Sequence, residues 1–182
     1  SKIMNIIVCV KQVPDPIVVK FNLETGKLDN IHYLMDPVDE VAISEAIRIR
    51  ERDGGQVTVI TLGPPRAEEV LRNALKMGAD EAIHLCDNDF ENIDSYSTSV
   101  IIAKLISKLP YDIILCGRES MDEGNGFVGA AIAEWLNLPL VTAVTRLDVF
   151  SDTKIARVHR RLKGGDREIL ETSLPAVFTV ER

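Results

Sequence analysis

Histidine and cysteine are scarce in this sequence, with three of each among 182 residues. His32, His84 and His159 stand apart from one another, and no Cys-x-x-Cys places two thiols at short spacing. Structural zinc sites and redox motifs draw on such closely spaced pairs, so no metal centre is expected. Cys9, Cys86 and Cys116 each close an apolar run, which reads as three buried strand thiols in a reducing, cytoplasmic setting. Long apolar stretches are also lacking. The longest are strand-sized, such as NIIVCV at 5–10, well short of the roughly 20 residues a spanning helix needs. The first residues, SKIMNIIVCVK, carry no charged-then-apolar leader with a small-residue cleavage site. Positive charge is outnumbered. The formal net charge of −7 argues against non-specific attachment to nucleic acid or to an anionic membrane surface. Neither GxxxxGK[ST] nor GxSxG occurs, which removes the P-loop and α/β-hydrolase readings.

What is present is a regular alternation of apolar runs and amphipathic stretches. Strands are predicted over Asn5–Lys11, Gln56–Leu62, Glu81–Cys86 and Tyr111–Cys116. Helices are predicted between them: from Asp36-Pro37 to Gly54-Gly55, over Ala67–Met77, over Ser95–Leu109, and over about Phe127–Leu136. Pro37 suits a first helical turn and Asp39 and Glu40 complement its positive end, with Val38, Val41, Ala42, Ala46 and Ile49 sharing the apolar face. Val18–Phe21 and Leu28–Leu34 flank a Gly-containing turn and read as a hairpin. Strands that are apolar throughout and separated by helices indicate an α/β, Rossmann-like fold, with a mainly parallel sheet and helices on both faces. After Pro139 the texture changes. Val141–Phe150, Lys154–Leu162 and Glu168–Thr172 alternate without an intervening helix and predict antiparallel strands, the last two joined at Lys163–Asp166. Ala176–Val180 is an apolar strand expected to return to the core sheet. No repeat or linker divides the chain, so residues 1–182 read as a single domain.

In open parallel sheets ligands bind beyond the carboxyl ends of the strands. Four loops lie there: Val10–Asp15, Gly63–Pro65, the acid-rich Asp87–Asp94, and Gly117–Gly129. The third would repel a phosphate and reads as a solvated loop. The other three combine Lys11, Gly63, Gly117, Arg118, Gly124, Gly126 and Gly129, the backbone amides and cations suited to a phosphate or an adenosine. Gly124–Gly129, GNGFVG, matches G-x-G-x-x-G, yet it follows the fourth strand, whereas the dinucleotide fingerprint opens directly after the first. Hydride-transfer chemistry is therefore disfavoured. Asp36, Asp39, Glu40, Asp122 and Glu123 could converge, but no histidine or cysteine is evidently placed beside them for acid–base work. Catalytic residues are not expected, and redox chemistry would have to come from an organic cofactor.

Several stretches together resemble the β subunits of electron transfer flavoproteins, the group that includes the FixA proteins. They are VCVKQVPD at 8–15, DPVDEVAISEAIRIRE at 36–51, VTVITLGP at 57–64, LRNALKMGADEAIHL at 71–85, DIILCGRESMDEGNGFVGAAIAEWLNLP at 112–139 and LPAVFTVER at 174–182. The resemblance implies an electron carrier without its own catalytic residues. It implies AMP, or the adenosine part of a second FAD, in this subunit, and a heterodimer with an α subunit that holds the redox-active FAD. Such a pair takes electrons from dehydrogenases and passes them to an acceptor, with no nucleic acid and no membrane span involved. Carried over by position, the nucleotide would meet Cys9, Val10 and Lys11, then Asp36 and Pro37, then Leu62 and Gly63. It would also meet Gly117 and the stretch with Asp122, Asn125, Gly126, Phe127, Val128 and Gly129. The sequence departs from the family at Asp36 (usually Asn), at Gly124 (usually near an acid) and at Phe127 (usually Gln), and the family's C-terminal partner-wrapping arm is absent after Arg182. A stand-alone adenine-nucleotide-binding module of the universal-stress-protein type is the alternative, although the G-x₂-G-x₉-G-[ST] loop of those ATP binders is not found. On this reading Gly126→Val should lower nucleotide retention while leaving the fold intact, since a branched side chain blocks close backbone approach. Nucleotide content per folded chain checks it, and unchanged retention would place the site on another loop.

Overall fold

A computed structural model describes residues 3–15, 20–29, 31–118 and 128–181. Among them an eight-stranded sheet forms the centre. Its strands are β1 (Asn5–Val10), β6 (Gln56–Gly63), β7 (Glu81–Cys86), β8 (Ile113–Gly117), β9 (Leu140–Phe150), β10 (Ile155–Arg161), β11 (Arg167–Ser173) and β12 (Ala176–Val180), in the spatial order β11-β10-β9-β12-β8-β1-β6-β7. Every pairing from β7 across to β9 is parallel, whereas β10 pairs antiparallel with both β9 and β11. The expected α/β layering with antiparallel additions is therefore present. The last strand in sequence, β12, lies between β8 and β9 and is parallel to both.

Among the described residues four α-helices cover the faces: α1 (Pro37–Asp53), α2 (Glu68–Met77), α3 (Ser95–Ile106) and α4 (Val128–Leu136). Alternation along the strands decides which pair lies where. Ile6, Val8 and Val10 face a core completed by Ala42, Ile43, Ala46 and Ile49 of α1 and Val70, Leu71 and Ala74 of α2. Ile7 and Cys9 face the opposite core, built with Ile102, Ala103 and Ile106 of α3 and Ile132 and Ala133 of α4. Successive strand residues point to opposite faces, so a run apolar at every position is what a sheet covered on both sides requires. The chain leaves β1 for β6 on one side and returns from β7 to β8 on the other. The β1–β8 junction is thus a topological switch point.

The helix ends follow local rules. Asp36 caps α1 by accepting from the Val38 amide at 3.1 Å, with Pro37 in the first turn. Asp94 caps α3 by accepting from the Ser97 amide at 2.7 Å, and this bond, with a second from the Ser97 hydroxyl, holds its carboxyl below the ordinary range. Gly164 and Gly165, both at positive φ, turn β10 into β11.

Three expectations need correction. The N-terminal hairpin is smaller: β3 (Lys20–Asn22) pairs with β4 (Lys27–Asp29), while Tyr33–Met35 forms a separate strand, β5, against β2 (Gln12–Pro14). The buried face of α1 is Asp39, Ala42, Ile43, Ala46 and Ile49, with Val38 and Val41 only half-buried. Cys86 is exposed, since it ends β7, the outermost strand of the parallel part, while Cys9 and Cys116 are buried. Phe127, the expected start of α4, lies outside the described residues.

Where β9 outruns β12, α1 takes over the role of a neighbouring strand. The Leu147 amide donates to Glu45 Oε1 at 2.9 Å, and the Leu147 carbonyl accepts from Arg48, which is itself paired with Glu45 at 2.6 Å. Backbone groups at an interior sheet edge need partners, and two side chains one helical turn apart supply both. Glu45→Ala should cost about 1–3 kcal/mol, because it leaves a shielded amide without its acceptor. It should also speed hydrogen exchange at the Leu147 amide relative to Ala156 in the strand beside it. Unchanged exchange at Leu147 would refute this role.

Candidate functional site

One crevice opens at the switch point. Cys9, Val10 and Lys11 at the end of β1, Leu62 near the end of β6, and Cys116 and Gly117 at the end of β8 line it. Asp39 of α1, Thr98 and Ile102 of α3, and Val128 of α4 complete the lining. The position is the one that parallel-sheet topology dictates: adjacent connections leave in opposite directions, and the strand ends between them are left uncovered.

Asp39 organises this end of the sheet. It is 4 % exposed, and its Oδ2 accepts from the Lys11 amide at 2.7 Å. Its Oδ1 stands against Gly117, where a Cβ would come within 2.2 Å of that oxygen. One carboxylate thus holds the start of the β1 loop and fills the space a side chain on β8 would need. Asp36, one turn earlier, donates its amide to the Lys11 carbonyl at 3.0 Å, and its Oδ2 lies 3.7 Å from Lys11 Nζ. Both backbone groups of Lys11 are therefore fixed by α1. On β6, the buried Thr61 hydroxyl donates to the Val10 carbonyl at 2.7 Å. The loop after β1 is held from both sides.

The sequence-predicted residues divide into three sets. Cys9, Val10, Lys11, Leu62, Gly117 and Val128 share the crevice. Asp36 stands at its edge through its contacts with Lys11, whereas Pro37, exposed in the first turn of α1, is not part of the lining. Gly63 is one residue past Leu62, and its carbonyl lies 3.2 Å from His84 Nε2 and accepts the Asp87 amide at 3.4 Å. Gly129 sits under the first turn of α4, where a Cβ would be 2.8 Å from Thr179 Cγ2 and 3.5 Å from Cys116 Cβ. The glycine there lets α4 approach the sheet. Asp122, Asn125, Gly126 and Phe127, and with them Gly124 and most of GNGFVG, lie outside the described residues. The Arg118 guanidinium, read from sequence as a cation for a phosphate, is paired with Glu181.

Sequence reasoning did not assign Thr98, Ile102 and Cys116 to the site, and it read Asp39 as a helix-start acid or one of five acids that could converge. Asp39 nevertheless shares the 3–4 residue spacing of Ala42, Ala46 and Ile49, so an acid on the core face was visible in the pattern. The carboxylates held below the ordinary range lie elsewhere or serve structure. For Asp80, burial acts in the opposite direction, but the Val57 amide and Arg50 outweigh it. For Asp148, burial is likewise outweighed, by Arg146, Arg52 and Arg48. The lining combines apolar side chains of Leu62, Ile102 and Val128 with strand-end backbone and the Thr98 hydroxyl.

The family model for the electron transfer flavoprotein domain matches residues 28–182. The electron transfer flavoprotein subunit beta of Thermoanaerobacterium thermosaccharolyticum is 44 % identical over 97 % of this chain and 67 % of its own length. The FixA protein of Azotobacter vinelandii is 38 % identical over 97 % of this chain and 65 % of its own. The subunit CarD of the caffeyl-CoA reductase–Etf complex of Acetobacterium woodii is 40 % identical over 97 % of this chain and 68 % of its own. The chain therefore spans about two thirds of the length of these curated relatives. No helix among the described residues is long and apolar enough to cross a membrane.

Gly117→Ala tests the organisation of the site. The new methyl group would collide with Asp39 Oδ1 and force the carboxylate off the Lys11 amide, and overpacking of this kind costs about 1–3 kcal/mol. Thermal or denaturant unfolding measures the loss. A second replacement, Asp39→Ala, should remove most of the added penalty of Gly117→Ala, since the two effects share one contact.

Proposed function

This chain belongs to the electron transfer flavoprotein family, on the branch of its β subunits and FixA proteins, and from that premise we propose that it holds the adenosine part of a nucleotide in the switch-point crevice. The nucleotide is AMP, or an FAD whose adenosine takes the same place. The chain acts with an α subunit that carries the redox-active FAD, and the pair takes electrons from dehydrogenases and delivers them to an acceptor. The observation that carries the reading is the convergence of three strand ends, β1, β6 and β8, on one crevice with Gly117 at its wall.

Each residue has a part in this reading. Leu62, Ile102 and Val128 offer apolar surface to the base. Thr98 and the backbone at the strand ends offer polar contacts. Asp39 is committed to structure in this reading: its task is to fix the Lys11 backbone and keep the crevice in shape. A phosphate would instead meet the stretch from Gly124 to Gly129 at the approach to α4, where a helix start favours an anion. A flavin, when bound, supplies the electron transfer; the protein residues bind it, orient it and exclude water. Electron transfer through this chain alone is not expected.

The test is to reconstitute the chain with its α subunit, purify the complex, denature it and identify the released nucleotides by chromatography. One flavin and one AMP per heterodimer are expected for a plain carrier, and two flavins for a carrier that splits electron pairs between acceptors. Release of neither AMP nor a second flavin would overturn the assignment of the crevice. Tight nucleotide binding by the isolated chain, with no complex formed, would favour the stand-alone module.

A further inference from the structure

Two of the three cysteines, 107 positions apart in sequence, meet in the crevice. Cys9 and Cys116 are direct partners in the parallel β1–β8 register. Partners in a parallel pair point to the same face of the sheet, and both side chains line the same cavity. They are 7 % and 4 % exposed, at its floor. Neither is in a disulfide. The third cysteine, Cys86, is exposed at the end of the edge strand β7 and is not part of the crevice lining.

We propose that Cys9 and Cys116 form a two-thiol site that binds a thiophilic Lewis acid, of the trivalent arsenical class, through both sulfurs at once. The geometry favours this over a disulfide. Neighbouring strands stand about 4.8 Å apart, and Cβ atoms on register partners are separated by a similar distance. A disulfide needs Cβ atoms roughly 3.5–4.5 Å apart, so a direct bond would require the strands to close up. A single bridging atom supplies the missing length without moving the sheet. The stoichiometry closes without an oxidant. An arsenoxide takes two thiols, forms two arsenic–sulfur bonds, and releases its oxygen as one water carrying both thiol protons.

The site explains what the absence of Cys-x-x-Cys conceals, because the pairing is made by sheet register rather than by sequence spacing. It also gives the crevice a second class of occupant. A bridging group on these sulfurs would stand where the proposed nucleotide meets Cys9, so the two would exclude each other. That last step rests on the nucleotide reading, whereas the two-thiol site does not.

The experiment uses phenylarsine oxide on the folded protein. One equivalent should consume two of the three thiols titratable by a chromogenic disulfide. The adduct should be reversed by 2,3-dimercaptopropanol and resist an equal excess of a monothiol. Cys86→Ser should behave as the parent. Cys9→Ser and Cys116→Ser should each weaken uptake by about 100-fold or more, since the second thiol acts at the high effective concentration of a tethered group. Alanine replacements at the same positions, checked by circular dichroism, guard against a loss of fold. Uptake that survives removal of either buried cysteine, or that requires Cys86, would overturn the site, as would no uptake by the folded parent. Added AMP should slow uptake. Two-thiol uptake unaffected by AMP would leave the site standing and count against the nucleotide reading.

Discussion

The carboxylate of Asp39 is the contact on which this end of the molecule depends. Two parallel strands, β1 and β8, end side by side at the switch point, and the connections that leave them diverge. The parallel ladder of β1 ends at Val10, and beyond Lys11 the chain pairs with β5 instead. Asp39 supplies the missing acceptor to the Lys11 amide and presses its other oxygen against Gly117. A buried polar group is costly unless it is hydrogen-bonded, and here the bond is to backbone, at 2.7 Å. That arrangement makes α1 and the two strand ends one unit. Asp36 extends it by holding the Lys11 carbonyl, and Thr61 extends it to β6 through the Val10 carbonyl. The crevice is the space these contacts leave open.

How much of this was visible in the sequence depends on which physical signal each part carries. The strands β1, β6, β7 and β8 and their helices were legible because burial on both faces demands uninterrupted apolar runs, and helices demand a 3–4 residue spacing. The β2–β5 pair was not, since three-residue strands have no period to detect. Cys86 was misjudged because an apolar run shows that a strand is in a sheet but not that it lies at the edge. Asp39 was noticed and given too small a role, as an acid in a first turn always has the dipole as a sufficient explanation. Thr98 and Ile102 carried no separate signal: one helical turn apart on α3, they become site residues only when α3 is laid across the ends of β1 and β8. The strand-end rule brought Lys11 to the site, and family resemblance added Cys9, Leu62 and Val128.

The place of β12 was the feature least available to local reasoning, and it bears directly on the site. AVFTV at 176–180 shows that it is buried, but not which strands it separates. In the structure it lies beneath α4. Thr179 is the residue against which Gly129 packs, and the Val180 carbonyl accepts the Arg118 amide at 3.0 Å. Arg118, where the chain leaves β8, and the first turn of α4 therefore both rest on β12. Contacts of such long sequence separation carry a loop-closure entropy cost that local pairings do not.

This dependence gives a reason for glycine at position 129 that is separate from any ligand. A side chain there would push α4 away from β12 and from Cys116 together, opening the floor of the crevice. The glycine at 117 answers a different demand, the oxygen of Asp39. Two glycines at the two ends of one loop thus serve two packing contacts, one with an acid of the first helix and one with a threonine of the last strand. A G-x-G-x-x-G match within that loop is weak evidence about a ligand so long as its final glycine is already required by the sheet. The two packing contacts create a more specific geometry: three strand ends meet at one crevice, the Asp39 carboxyl fills the space beside Gly117, and α4 closes the far side.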